Sequence, residues 1–163
     1  MEPTPATTAV LLIAHGSRRE SANADLRELA ARLAATGPWT IVEPCFLELA
    51  EPDIPAGAAT CAARGASRVL MVPYLLSAGV HLGRDLTAAR DDLAARHPGV
   101  DFVLGPPLGP HPLLDRLVAA RAAELDRTDP TPPTADWSDG AAAAGPAGRP
   151  ERSGSLDDDS GKG

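Results

Sequence analysis

Four short apolar runs, each followed by a segment with helical spacing, set the strongest limit on what this chain can fold into. The runs cover residues 8–14, 40–46, 68–74 and 100–104. The first, TAVLLIA, shows no polar alternation and suits a central strand covered on both faces. The second carries β-branched and aromatic residues that fit a sheet. Between them lie helical patterns. Leu26, Leu29 and Leu33 recur at i, i+3, i+7 after Ser17 or Ser21 as the expected cap, and Gly37-Pro38 ends that helix. A second helix is expected from near Pro52 to Gly65, although Gly57 inside it weakens the pattern. A third runs from about Gly83 to Arg96 and stops at His97-Pro98-Gly99. The fourth, from Leu113 to Arg127, places Leu114, Leu117, Val118, Ala122 and Leu125 on one face. This β-α-β-α-β-α-β-α order predicts an α/β fold: a four-stranded parallel sheet with helices on both faces, joined by right-handed crossovers.

The same pattern bounds the domain. Residues 1–127 read as one folded unit, in keeping with a length of 163 residues. From Thr128 the periodicity stops, and Trp137 and Leu156 are the only large apolar side chains left, so 128–163 is expected to be a disordered tail. The net charge of −7 is spread without a basic stripe: residues 1–127 carry 12 basic and 15 acidic side chains, and the tail 3 and 7. Nucleic acid and anionic membrane are therefore poor partners. No apolar run approaches the roughly 18 residues of a spanning helix. The leader MEPTPATT lacks the positive charge of a signal peptide. Cys45 and Cys61, which form no CxxC, are expected to be buried free thiols in a cytoplasmic protein.

Chemistry concentrates where strands end. Residues 69–86, VLMVPYLLSAGVHLGRDL, take a strand through Pro73 and Tyr74 into a Gly-punctuated loop with His81 and Arg84, entering a helix near Asp85. A near twin, VLLIAHGSRRE, takes the first strand into His15, Gly16 and Ser17. Both histidines thus follow the carboxyl ends of parallel strands, the edge where open α/β sheets bind ligands. If the first and third strands are neighbours, the two imidazoles converge. Imidazole, with an unperturbed pKa near 6.5, is largely neutral at pH 7 and can accept a proton or bind a borderline divalent metal. Two histidines make a poor structural zinc site, which wants four ligands, but a reasonable transient one. Glu48, just after the second strand, can join them as ligand or base, whereas Glu51 and Asp53 read as first-turn helix carboxylates. Arg18, Arg19 and Arg84 flank the histidines and suit carboxylate recognition. Gly16, Gly79 and Gly83 permit tight loop paths. His97 reads as a helix-ending residue, and His111 as a cap or pocket residue before the fourth helix.

Taken together, LLIAHGSRRESAN, FLELAEPDI and VPYLLSAGVHLGRDL resemble, in order and spacing, the small single-domain sirohydrochlorin chelatases, the class II cobalto- or ferrochelatases. The resemblance covers residues 8–115. It implies a chelatase-like half-unit that pairs as a homodimer to build the cleft longer relatives make from two fused halves. It implies ATP-independent insertion of Co²⁺ or Fe²⁺ into sirohydrochlorin, on the way to cobalamin or sirohaem. No permanently bound cofactor is implied; the metal and the tetrapyrrole are substrates. The family's two metal-site histidines fall on His15 and His81, and its acidic motif on Glu48. His15, His81 and Glu48 are then the catalytic set, His15 and His81 the metal ligands, and Arg18 and Arg84 the groups that steer substrate carboxylates. The alternative is a non-catalytic metallochaperone or tetrapyrrole carrier using the same histidine pair. A histidine phosphatase is disfavoured because Ala14 stands where an arginine should precede the histidine, and a serine hydrolase because Ser17 and Ser77 lack GxSxG.

Overall fold

A computed structural model describes residues 7–127. Up to Ala123 the chain forms one compact unit. A second, Glu124–Gly163, is described only in its first four residues, the end of the last helix. The expected tail, 128–163, lies outside the described residues.

The elements alternate as the sequence predicts: β1 (Thr8–Ala14), α1 (Glu20–Thr36), β2 (Ile41–Phe46), α2 (Ile54–Ala63), β3 (Arg68–Pro73), α3 (Val80–Arg96), β4 (Asp101–Leu104) and α4 (Pro112–Arg127). All four strands are parallel, in the order β2-β1-β3-β4. The central strand is β1, which explains its unbroken apolar run: five consecutive residues, Ala9 to Ile13, are buried. Because side chains alternate across a strand, the sheet has two cores. Ala9, Leu11, Ile13, Val69, Met71 and Phe102 pack with Ile54, Ala58, Cys61, Leu86 and Leu93 of α2 and α3. On the other face, Val10, Leu12, Val42 and Phe46 pack with Leu26 and Ala30 of α1.

Gly57 has a packing reason. A Cβ there would stand 2.9 Å from both the Cys45 Cβ and the Leu11 Cδ1, so α2 approaches the sheet more closely than any larger residue allows. Asp53, not Pro52, begins this helix. Its carboxylate accepts the Ala56 N–H at 2.8 Å, and Pro55 takes the first-turn place. Neither Ser17 nor Ser21 caps α1, whose N-cap is Arg19 without a side-chain bond. The serine hydroxyl of residue 17 instead accepts the Arg19 N–H at 3.0 Å. The other departure lies in α3, which starts at Val80 rather than near Gly83. Gly79 caps it in an extended conformation, and the Gly83 N–H closes the first turn on the Gly79 carbonyl at 3.0 Å. His81 therefore rides on the first turn of a helix instead of in a loop.

The helix α4 has the predicted apolar stripe, but none of its residues is buried. Leu113, Leu117 and Val118 are 62%, 52% and 69% exposed.

Candidate functional site

The carboxyl edge of the sheet is shaped by backbone pairing that outlasts the strands. Beyond the Ala14–Phe46 register, the Leu47 N–H donates to the Ala14 carbonyl at 2.9 Å and the Glu48 N–H to the His15 carbonyl at 3.1 Å. This extended pairing sets Glu48 beside His15, and the side chains meet: His15 Nε2 lies 2.9 Å from Glu48 Oε1. Both side chains remain more than half exposed, so the pair is open to solvent and to a ligand.

Gly16 makes the pairing possible. Its φ is +94°, and a Cβ on it would fall 1.9 Å from the Glu48 carbonyl oxygen. Only glycine tolerates both. Next to it, Asn23 locks the loop. This residue of α1 is 3% exposed. Its Oδ1 accepts the Ser17 N–H at 2.9 Å, and its Nδ2 donates to the Ser17 carbonyl at 2.8 Å. The sequence reading missed Asn23, though an Asn on the core-facing side of an otherwise Leu/Ala helix was a usable signal.

His81 lies on the first turn of α3, the helix that follows β3, and β3 is the neighbour of β1. It is exposed and makes no hydrogen bond or ion pair with His15 or Glu48. Among the described residues no three His, Cys, Asp or Glu side chains are gathered closely enough to hold a metal ion. The structure thus joins His15 to Glu48 and leaves His81 across the edge from them. Arg18 and Arg84 are exposed on the first residues beyond β1 and within the opening turns of α3, and neither has a carboxylate partner among the described residues. Arg19, the α1 N-cap, is likewise exposed. Glu51 accepts the Asp53 N–H at 3.1 Å and belongs to the entry of α2, as expected.

Apolar side chains complete the rim. Leu49 at φ 64°, Tyr74, Leu76 and Val80 all follow strand ends on this edge, and all are exposed, Leu76 and Val80 at 71%. The sequence reading took VPYLLSAGV as a strand running into a loop. Large apolar residues in a loop were the available sign of a surface meant to be covered.

The remaining histidines stand apart. His97 caps α3 through its N–H to the Leu93 carbonyl, its ring 6.0 Å from Phe102. His111 Nδ1 accepts the Leu113 N–H at 3.1 Å at the start of α4. It lines an apolar groove of about 310 Å³ with Pro107, Leu108, Leu113 and Leu114. Cys45 and Cys61 are free and buried. Burial, reinforced by nearby negative groups, pushes the Cys61 thiol up to about 12 and the Cys45 thiol well above the usual range. They are packing groups.

Comparison with known proteins finds similar chains and similar folds. The chloroplastic sirohydrochlorin ferrochelatase of Arabidopsis thaliana is 36% identical over 105 residues, 64% of this chain and 47% of its own length. The sirohydrochlorin cobaltochelatase of Priestia megaterium is 35% identical over 103 residues, 63% of this chain and 33% of its own. This chain therefore spans half or less of the length of those relatives. Among solved structures, a cobalamin (vitamin B12) biosynthesis CbiX protein from Marinobacter aquaeolei VT8 superposes with a TM-score of 0.64 at 29% identity, over 74% of this chain and 99% of that one. The sirohydrochlorin chelatase SirB of Bacillus subtilis subspecies spizizenii, in complex with cobalt, gives 0.67 at 28% identity, over 73% of this chain and 51% of that one. The CbiX family model matches residues 9–125, so the chain belongs to the CbiX family.

Proposed function

We propose that this chain inserts Co²⁺ or Fe²⁺ into sirohydrochlorin without ATP, with His15, His81 and Glu48 as the reacting groups, and that it works as two copies. The observation that carries the reading is the His15–Glu48 pair, 2.9 Å apart and open at the ligand edge of the sheet. Relatives named for this reaction with both metals support the chemistry.

A divalent ion about 2.1 Å from an imidazole nitrogen and a carboxylate oxygen that are 2.9 Å apart subtends roughly 90°. That is the angle between neighbouring ligands of a six-coordinate ion, so the pair can take up a metal without moving its donors apart. His81 supplies the third donor when the metal is handed across the edge. Three donors without enclosure suit an ion in transit, because a closed four-ligand site would retain it.

Insertion breaks two pyrrole N–H bonds and forms metal–nitrogen bonds, so two protons must leave for each M²⁺ that enters. Glu48 receives them, directly or through His15, and passes them to water, to which both side chains are open. The rim of Leu49, Tyr74, Leu76 and Val80 offers apolar contact to the face of a flat macrocycle. The exposed guanidinium groups of Arg18 and Arg84 meet its peripheral carboxylates, where forked N–H donors are most effective. The two unpaired, buried thiols fit a cytoplasmic site of action.

The test is an absorbance time course with sirohydrochlorin in large excess over protein, in the presence of Co²⁺ or Fe²⁺. Metallated product exceeding the protein concentration many times over, above the uncatalysed rate, is expected. A spectral change that stops at one equivalent would instead identify a carrier.

A further inference from the structure

Helix α1 follows β1, so its amino end stands at the carboxyl edge of the sheet, where His15 and Glu48 meet. Leu26 and Ala30 are buried against that sheet, which fixes the position of the helix. Glu20, Asn23 and Arg27 recur at i, i+3 and i+7, one stripe along α1. Asn23 holds the loop after β1 through both of its bonds to Ser17. Long side chains on a helix lean toward its amino end. The guanidinium of Arg27, about two turns in, is thereby carried back toward the same edge.

Its contacts there reach the segment that carries Glu48. Nη1 pairs with the Glu20 carboxylate of its own helix. Nη2 donates to the Glu51 carbonyl at 3.1 Å. The guanidinium carbon lies 5.5 Å from the centre of the Phe46 ring. Phe46 ends β2 and is 1% exposed, and its N–H donates to the Pro52 carbonyl at 2.9 Å. Residues 47–51 thus form a loop closed at its neck. One side of this loop is laddered to Ala14 and His15 through the Leu47 and Glu48 N–H groups. Arg27 ties the other side to α1.

These contacts add little to overall stability. Arg27 and Glu20 are 37% and 75% exposed, and an ion pair in that much solvent contributes almost nothing net. What they supply is direction. A planar guanidinium presents its N–H donors in fixed directions, so holding Glu20 with one nitrogen sets where the other points. We propose that Arg27 is a positioning residue for metal capture: anchored by Glu20, it holds the Glu51 carbonyl and the Phe46 ring against α1 and so keeps Glu48 at His15. This rests on the His15–Glu48 site proposed above. Asn23 and Arg27 then place the two halves of the pair from one rigid helix.

The full chain is titrated with Co²⁺ alone, followed by its visible absorption, and then assayed for insertion into sirohydrochlorin. Arg27→Met keeps the apolar stem over Phe46 and removes the fork. Arg27→Lys keeps the charge on a single nitrogen. Both variants should show native circular dichroism and bind Co²⁺ about 10- to 100-fold more weakly, the range for a ligand that loses the partner orienting it. At a fixed Co²⁺ concentration kcat should fall while KM for the tetrapyrrole stays within about twofold, because the rim, Arg18 and Arg84 are untouched. On a Glu48→Gln background Arg27→Met should add less than about twofold, because it acts through Glu48. Without metal, the amide signals of Leu47, Glu48 and Leu49 should broaden in Arg27→Met. If that variant does not fold, Arg27→Lys carries the same readings. Native Co²⁺ affinity in either folded variant, or unchanged amide signals, would overturn the proposal. So would an undiminished loss on the Glu48→Gln background, which is what a merely structural role predicts. A native chain that neither binds nor inserts Co²⁺ would sink the site reading itself, and the amide signals, which need no metal, would still decide whether Arg27 holds the loop.

Discussion

Replacing Gly16 with alanine tests whether the local fold, rather than the presence of two side chains, makes the site. At φ +94° an L-residue costs about 1–2 kcal/mol on conformational grounds. Its Cβ would sit 1.9 Å from the Glu48 carbonyl oxygen, so that strand end must retreat by at least 1 Å to reach the 3.0 Å below which real Cβ contacts are essentially never seen. The retreat strains the Glu48 N–H bond to the His15 carbonyl, worth about 1 kcal/mol. Together these predict a loss of about 2–3 kcal/mol, a large share of the 5–15 kcal/mol typical of a domain. The urea midpoint should fall with the slope unchanged, showing that the folded state itself is destabilised. Below that midpoint the variant remains folded, and His15 and Glu48 no longer meet, so metal insertion should drop far more than the folded fraction does. A variant with native stability and native turnover would refute the reasoning from the Gly16 backbone.

Other substitutions probe separate parts of the account. His81→Ala should leave the fold intact, because the side chain is exposed on the first turn of α3, and reduce turnover by about 10- to 100-fold, the scale on which weakened support of a metal lowers its binding. Asn23→Ala removes both bonds to Ser17 from a nearly buried position, and should cost about 1–3 kcal/mol in a urea melt and broaden the NMR signals of residues 15–18. Cys45 and Cys61 should resist a thiol reagent at pH 8 in the native protein and react fully in denaturant. Their raised values also set a sign for stability. The unfolded chain releases these protons near pH 8.5 while the folded chain holds them, so stability is complete below that pH and drains as pH rises toward about 12. Urea melts at pH 7 and pH 10 check it, and a higher midpoint at pH 10 would count against burial as the cause.

The fold was legible because its signals were redundant. The apolar run of β1, the leucine spacing of α1 and α3's stop at His97-Pro98-Gly99 each point to the same alternation, and a parallel sheet leaves few ways to arrange it. The sequence left open whether β1 and β3 are neighbours, and the sheet order makes them so. The details that escaped were those decided by close approach. Gly57 weakened a helix pattern on propensity, yet it is where α2 meets Cys45 and Leu11. Gly83 read as loop, but a glycine in a first turn costs little once Gly79 caps the helix. The residue type of the serines suggests a cap, whereas the Ser17 hydroxyl accepts the Arg19 N–H and its backbone is held by Asn23. Of the candidate site, the histidines and Glu48 could be placed at one edge from strand ends alone. The direct His15–Glu48 contact depends on ladder hydrogen bonds beyond the strands and on the positive φ of Gly16, which no spacing rule encodes. The apolar rim was visible as letters but not as exposure.

The most direct measurement is the steady-state rate of Co²⁺ insertion into sirohydrochlorin by the native chain, His15→Ala, Glu48→Gln and the pair of changes combined, each shown to be folded by circular dichroism. If His15 and Glu48 act as one unit, either single change should remove most of the rate. The combined change should then lose little more than the worse of the two, as residues that act together do. Full activity in the folded double variant, or losses that simply multiply, would contradict the claim that this pair is the centre of the site.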